Sequence, residues 1–185
     1  MKTYQIIYAD PPWSYNDKMS GHSFSLDHEY ATQNLGWIKS LPINGIAEKD
    51  CVLFLWAVSP LLPEAFEVIQ AWGFKYKTLG FCWLKERPNR PNLFVKNLGR
   101  YTMGGVELLL LATKGRPKRI INNMSQVHFD ERTRHSKKPD ALRDKIVQLF
   151  GDIPRIELFA REKTEGWDVW GNEIESDIDL INLTS

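Results

Sequence analysis

Tyr4-Gln5-Ile6-Ile7-Tyr8-Ala9-Asp10-Pro11-Pro12-Trp13 is the stretch on which the fold turns. Its first six residues are β-branched, aromatic or apolar with a single amide among them, which is the make-up of a short buried strand. The run stops at Asp10 because two prolines follow, and proline has no N–H with which to continue a sheet ladder. A buried strand that opens directly into a charged, proline-stiffened loop predicts an open α/β sheet, where ligands sit at the carboxyl ends of the strands.

The sequence on the carboxyl side supports that reading. Residues 14–34 are polar and rich in turn formers, too long for a plain connection, and suggest a functional lid. CVLFLWA at 51–57 is a continuous apolar strand. Ser59 then offers an N-cap, Pro60 suits a first helical turn, and Gly73 ends a helix carrying Ala65, Val68, Ile69 and Trp72. Further strands are predicted over 77–84, 106–113, 155–160 and 167–170, with a helix from a Ser136 cap through Pro139, Leu142, Ile146, Leu149 and Phe150 to Gly151. Strands that are apolar throughout, alternating with helices, imply a sheet covered on both faces. One domain over residues 1–174 is expected, followed by an acidic tail, 175–185, that shows no periodic core face and is expected to be partly disordered.

The 185 residues carry a net charge of only +1, but the charge is segregated. Residues 75–145 hold 17 Lys/Arg against 6 Asp/Glu, and the remainder 7 against 17. A basic segment that also contains Phe81, Trp83, Phe94, Tyr101 and Phe129 suits a phosphate backbone and unstacked bases; a solvated basic face balancing the acidic tail is the plainer alternative. Cys51 and Cys82 lie in apolar runs without metal or redox spacing, and read as reduced, buried thiols. The histidines at 22, 28, 128 and 135 form no zinc pattern, so no metal is expected. No apolar run reaches the length of a membrane span, and the amino-terminal residues lack a signal-peptide pattern, so a cytoplasmic protein without a membrane partner is expected.

The tetrapeptide at 10–13 suits one kind of substrate atom. An aromatic amino group donates two N–H bonds and has a lone pair delocalised into its ring, so it reacts only when acceptors hold it. The Asp10 carboxylate and the Pro11 carbonyl can accept both bonds and stabilise the positive charge that develops on nitrogen. Pro11 and Pro12 add rigidity, and Trp13 offers a face for stacking an extruded base. A bare strand-ending turn with Trp13 tucked into the core is the competing reading.

Five pieces in order, DPPW at 10–13, GRYTMGGVELLLLATKGRPKR at 99–119, HSKKPDALRDKIVQLFG at 135–151, RIELFAR at 155–161 and GWDVWGNE at 166–173, resemble the N6-adenine methyltransferase family that includes the catalytic subunit of the mRNA adenosine methyltransferase and many bacterial and phage members. The texture is nearest the prokaryotic and phage branch. The resemblance implies an α/β class I methyltransferase fold, a Rossmann-like mixed sheet with helices on both faces and the motifs in permuted order. It implies S-adenosyl-L-methionine as cofactor, direct methyl transfer to the adenine amino group, and a nucleic acid as partner, duplex DNA before RNA. Asp10, Pro11, Pro12 and Trp13 would be catalytic; Asp10, Lys138, Glu157, Arg161 and Asn172 would bind the cofactor, with Lys138 near its methionine carboxylate and Arg161 or Asn172 at its ribose. Glu107 and Glu157 also read as ordinary buried carboxylates. Segment 85–104 is a candidate for target-strand recognition, with Asn89, Asn92, Asn97 or Arg100 reading base edges.

Two departures from the family pattern leave the ribose and adenine contacts open: Met103-Gly104-Gly105 lacks an arginine ahead of its strand, and Glu162-Lys163 replaces a His-Asn pair. A non-enzymatic partner subunit and an unrelated nucleotide-binding α/β protein are the alternatives. The intact DPPW weighs against the first, and the absence of a Walker loop and of Gly-x-Gly-x-x-Gly against the second. The oligomeric state is not legible.

Overall fold

The computed structural model describes residues 2–14, 34–99, 101–131 and 137–184. The predicted lid falls almost wholly on 15–33 and the expected Ser136 cap on 132–136, both outside the described residues. The first strand, β1 (Tyr4–Ala9), is followed by α1 (Leu35–Ser40), α2 (Ile43–Ile46), β2 (Ala47–Ala57) and α3 (Leu62–Ala71). Then come β3 (Lys75–Arg87), β4 (Arg90–Phe94), β5 (Val106–Lys114), β6 (Val127–Glu131), α4 (Asp140–Phe150), β7 (Arg155–Leu158) and β8 (Asp168–Trp170).

The strands form one mixed sheet in the order β4-β3-β5-β2-β1-β7-β8, with β6 paired to β3. β1 runs parallel to β2 on one side and to β7 on the other, although β7 comes some 145 residues later in the chain. β5 is antiparallel to both β2 and β3. Consequently the end of β1, the end of β3 and the start of β5 all meet at one edge of the sheet.

Alternation along β1 and β2 divides the core in two. Ile7, Ala9, Leu53 and Leu55 face the side covered by α1, α2 and α3, together with Ile38, Ile43, Val68 and Trp72. Ile6, Tyr8, Val52, Phe54 and Trp56 face the side covered by α4 through Leu142 and Ile146. Helices thus cover both faces, as the apolar strands require, since neither face of such a strand can be left in water.

Local details differ from the sequence reading. Ser59 does not cap a helix: Ser59–Leu61 is a 3-10 turn, and α3 begins only at Leu62 with no side-chain cap. Pro63 explains the delay, since a helix capped at Ser59 would need the residue-63 N–H to reach the Ser59 carbonyl and proline has none. The second predicted cap fares similarly, because Pro139 occupies the N-cap of α4 and no side chain caps it. Gly151 ends α4 as expected, at φ 94°. Asn89 and Asn92 have φ of 58° and 65°, the left-handed region that asparagine tolerates; Asn89 lies in the β3–β4 turn and Asn92 within β4, where its N–H donates to Glu86. The strand predicted at 155–160 stops at Leu158 because Phe159 turns to φ 62°.

The acidic tail, which showed no core face, contributes to the core. The Val169 N–H donates to the Asp177 carboxylate at 2.9 Å, the Asp177 N–H returns a bond to the Val169 carbonyl at 2.9 Å, and Leu180 is completely buried. One apolar residue in an acidic stretch carries no period, which is why the sequence pattern missed it. Replacing Leu180 by Ala is expected to cost about 2–5 kcal/mol, and a chain ending at residue 174 to lose at least as much. Thermal unfolding measures both, and a truncated chain melting like the full one would make the tail a mere appendage.

Candidate active site

Asp10 leaves the end of β1 at the carboxyl edge, where its backbone N–H reaches the Leu158 carbonyl at 3.5 Å. Its carboxylate is held by the Lys138 ammonium at 2.8 Å. Lys138 comes from the loop entering α4 and also reaches Glu107 at 3.2 Å, while Glu107 is bonded in turn by Lys85. Lys138 lies 5.3 Å from the centre of the Trp56 ring, within cation–π range. The result is a row, Asp10, Lys138, Glu107, Lys85, with alternating charge across β1, β5 and β3.

The row is largely shielded from water, and burial sets its titration. Burial pushes the Asp10 carboxyl up, and Lys138 pulls part of that back. Burial likewise pushes Glu107 up, but Lys138 and Lys85 outweigh it and hold the carboxyl low. For Lys138 the desolvation cost is exceeded by its two carboxylates, which keep it a cation. A buried lysine between two acids has no route to neutrality that would not strand both of them.

The Pro11 carbonyl accepts the Trp13 N–H at 2.8 Å, a tight turn that fixes the direction of that oxygen and leaves it one lone pair. Trp13 is half-buried and its Nε1–H donates to the Trp56 carbonyl at 3.0 Å. The indole is therefore anchored to the core, and it borders a cavity of about 160 Å³ shared with Ser14, Leu35, Ile38, Leu61 and Glu64. A second hollow, about 340 Å³, opens beside Lys138 between the end of β6 and the start of α4, with Asp130, Glu131, Lys137 and Asp140 on its wall.

β7 and β8 end beside β1. Glu157, paired in register with Tyr8, points to the α4 side and binds Arg143 at 3.2 Å; among the described residues its Oε2 and the Nε of Arg143 are buried without a hydrogen-bond partner. Burial raises the Glu157 carboxyl to about 7 in spite of Arg143, with Asp10 and Glu162 adding to the rise. The ends of the two strands are packed tightly: the Ala160 N–H donates to the Trp170 carbonyl at 3.0 Å, and a Cβ on Gly171 would run into the Ala160 carbonyl. Arg161 lies 3.8 Å from Glu173, and Asn172 is exposed on the adjoining loop.

Of the residues anticipated from sequence, Asp10 and Lys138 thus touch directly, and Pro11, Pro12 and Trp13 follow on the same loop. Glu157, Arg161 and Asn172 lie at the neighbouring strand ends, where the charges of Glu157 and Arg161 are felt at Asp10. Sequence reasoning missed Arg143 and Lys85, and left Glu107 undecided. Arg143 had a signal, since it falls on the apolar stripe of α4, one turn from Pro139 and from Ile146. Lys85 had none, because its partner is 22 residues away on another strand.

A sheet with parallel strands at its centre, an acceptor loop at its carboxyl edge and a cation held against the acceptor fit the class I methyltransferase fold that the sequence resemblance implies. The model of the MT-A70 family matches residues 4–173. A type II methyltransferase, M.MunI, from Mycoplasma sp is 36% identical, over 94% of this chain and 78% of that protein. Lower identities link the chain to an N(6)-adenosine-methyltransferase MT-A70-like of Arabidopsis thaliana, 26% over 97% of this chain and 25% of that protein. The N(6)-adenine-specific methyltransferase METTL4 of Mus musculus is 28% identical over 94% of this chain and 38% of that protein. The chain belongs to the MT-A70 family.

Glu157 makes stability depend on pH in a specific direction. Its folded value, about 7, exceeds its ordinary 4.5, so the folded state binds the extra proton and the stability it confers is lost as pH rises between those values. The Glu157→Gln variant is therefore expected to show a flatter loss of stability than the parent between about pH 4.5 and 7. Chemical denaturation across that range checks the slope, and parallel curves would mean that Glu157 is already ionised throughout.

Proposed function

We propose that the chain methylates the N6 amino group of adenine in DNA, using S-adenosyl-L-methionine. The observation that carries this reading is the pairing of two acceptors on one rigid loop, the Asp10 carboxylate held by Lys138 and the Pro11 carbonyl fixed by the Trp13 N–H. Two acceptors match the two donors of an exocyclic amino group, and the fixed geometry selects the nitrogen orientation in which its lone pair points away from both. As positive charge develops on that nitrogen, the carboxylate stabilises it and then takes up the proton the product must lose.

When bound, S-adenosyl-L-methionine supplies a methyl group made electrophilic by its sulfonium. The residues at the carboxyl edge fit it. A methionine zwitterion needs an anion and a cation, and Glu157 offers a buried oxygen without a partner while Lys138 and the uncapped start of α4 suit a carboxylate. Arg161 and Asn172 would serve the ribose. Lys138 then has two duties, toward Asp10 and toward the cofactor, and Glu107 supplies the second anion that keeps it charged while it changes partner.

DNA is preferred because the resemblance is strongest to prokaryotic members, and the Mycoplasma relative is matched over most of its length. RNA is the second reading, favoured by the plant relatives named adenosine methyltransferases, of which the chain spans about a quarter. An inactive partner subunit would have no use for Asp10 and Lys138 at 2.8 Å.

Incubation with labelled cofactor and unmethylated duplex DNA or RNA, followed by nucleoside analysis, tests the reading. N6-methyladenine is expected in DNA, reduced about 10²–10³-fold by Asp10→Ala, as for loss of one preorganised electrostatic group. Cofactor binding without label in either polymer would favour the partner-subunit reading. A second outcome concerns pH. With Lys138→Met, burial acts on Asp10 without its main opponent, so the acidic limb of kcat is expected to move to higher pH, and an unmoved limb would dissociate Lys138 from the charge of Asp10.

A further inference from the structure

Between β4 and β5 the chain makes a second, smaller hairpin. The Val95 N–H donates to the Lys85 carbonyl at 2.8 Å, the Lys85 N–H to the Gly105 carbonyl at 3.1 Å, and Asn97 and Gly104 exchange both backbone bonds at 2.6 and 2.8 Å. Gly99 is obligatory in this turn, since a Cβ there would run into the Thr102 carbonyl. Two large apolar side chains stand at the tip: Leu98 is 94% exposed and Tyr101 96%, the highest values among the large hydrophobics described. Single exposed apolar residues are ordinary, but two nearly bare ones on one narrow, hydrogen-bonded tip are not.

The hairpin is wired to the active site. Its stem passes through Gly105 and Val106 into Glu107, which contacts Lys138, which holds Asp10. Six residues separate Glu107 from Tyr101, at most about 20 Å of extended chain. The surrounding segment, 85–104, carries five Lys/Arg against the single acid Glu86, and Arg87, Arg90 and Lys96 are exposed. A second copy of the chain docking hairpin to hairpin would bring like charges together, whereas a phosphate backbone complements them.

We propose that Leu98 and Tyr101 form a wedge that enters the base stack of a duplex and fills the gap left as the target adenine is extruded to Asp10. This rests on the methylation reading above. Extrusion costs the stacking and pairing of the base, least where the base is already unpaired, and apolar side chains inserted at a base step offset that cost while bending the duplex toward the protein. The wedge acts on base opening and touches no reacting atom, so it assists only substrates whose adenine is paired.

The test uses the full chain carrying Leu98→Ser and Tyr101→Ser together, and separately the conservative Tyr101→Trp. Each is given unmethylated plasmid DNA, intact and heat-denatured, with labelled cofactor. Permanganate oxidation of the thymines opposite the adenines that the parent methylates reports opened pairs without reference to methyl transfer. The double variant is expected to lose about tenfold or more in kcat/KM on intact duplex, to keep parental activity on denatured DNA, and to lose the permanganate signal, while Tyr101→Trp retains both. Equal loss on both DNA forms, no loss on either, or a change in the solution mass of the protein would overturn the wedge, the last by assigning the tip to a contact between copies. A parent that labels neither form of DNA overturns the methylation reading and the wedge with it.

Discussion

Keeping Asp10 an anion where water is scarce is the constraint around which this molecule is arranged. A carboxylate at the end of a wholly buried strand is unstable as a charge, because desolvation favours its neutral form. A neutral Asp10 would present a donor where an acceptor is required. Lys138 answers this, but one lysine beside one carboxylate in a shielded place has its own desolvation to meet, and the row continues through Glu107 to Lys85. Alternation of sign lets each member stabilise its neighbours, and removing an interior member leaves an unpaired buried charge on either side.

The mixed sheet follows from the same need. In a purely parallel sheet only strand ends reach the carboxyl edge, so only residues at such ends can join a row there. Because β5 runs antiparallel to β2 and β3, its beginning lies at that edge, and Glu107, its second residue, is delivered between the ends of β1 and β3. α4 completes the row from above the sheet. Its amphipathic face is fixed by Leu142 and Ile146 against Phe54 and Tyr8, and that packing holds the preceding loop, and Lys138 with it, over Asp10.

How much of this was legible in sequence depended on range. β1, its abrupt end and the acceptors at 10–13 could be read from ten consecutive residues, because proline chemistry and strand burial are local facts. The two faces of the sheet were legible from β2, whose apolar run admits no wet side. Cap positions were not, since Pro63 moved the first turn that Ser59 was expected to begin, and Pro139 stands at the N-cap of α4. Lys85 was invisible because its meaning depends on strand order, and order follows from pairing across the whole chain. Leu180 was hidden for a related reason: a lone apolar residue among acids has no period, and its burial depends on Asp177 bonding both ways to Val169.

Two half-buried carboxylates flank Tyr8, and their surroundings differ. Asp10 is held by a lysine that is itself held by Glu107, and this offsets part of the rise that burial imposes on its carboxyl. Glu157 has one guanidinium, shared with Asp140, and keeps an oxygen with no protein partner, so its carboxyl rises to about 7. A group left half-compensated inside a protein is costly unless something else completes it, and a cationic ligand group at that oxygen would do so, lowering the carboxyl back toward its ordinary range. Burial raises both acids on these adjacent strands; in the proposed reaction Asp10 would be the acceptor for the target nitrogen, and Glu157 would gain charge as a cationic group binds. Arg143, on the apolar face of α4, lies over the Tyr8 ring at 5.8 Å while its guanidinium serves both Glu157 and Asp140.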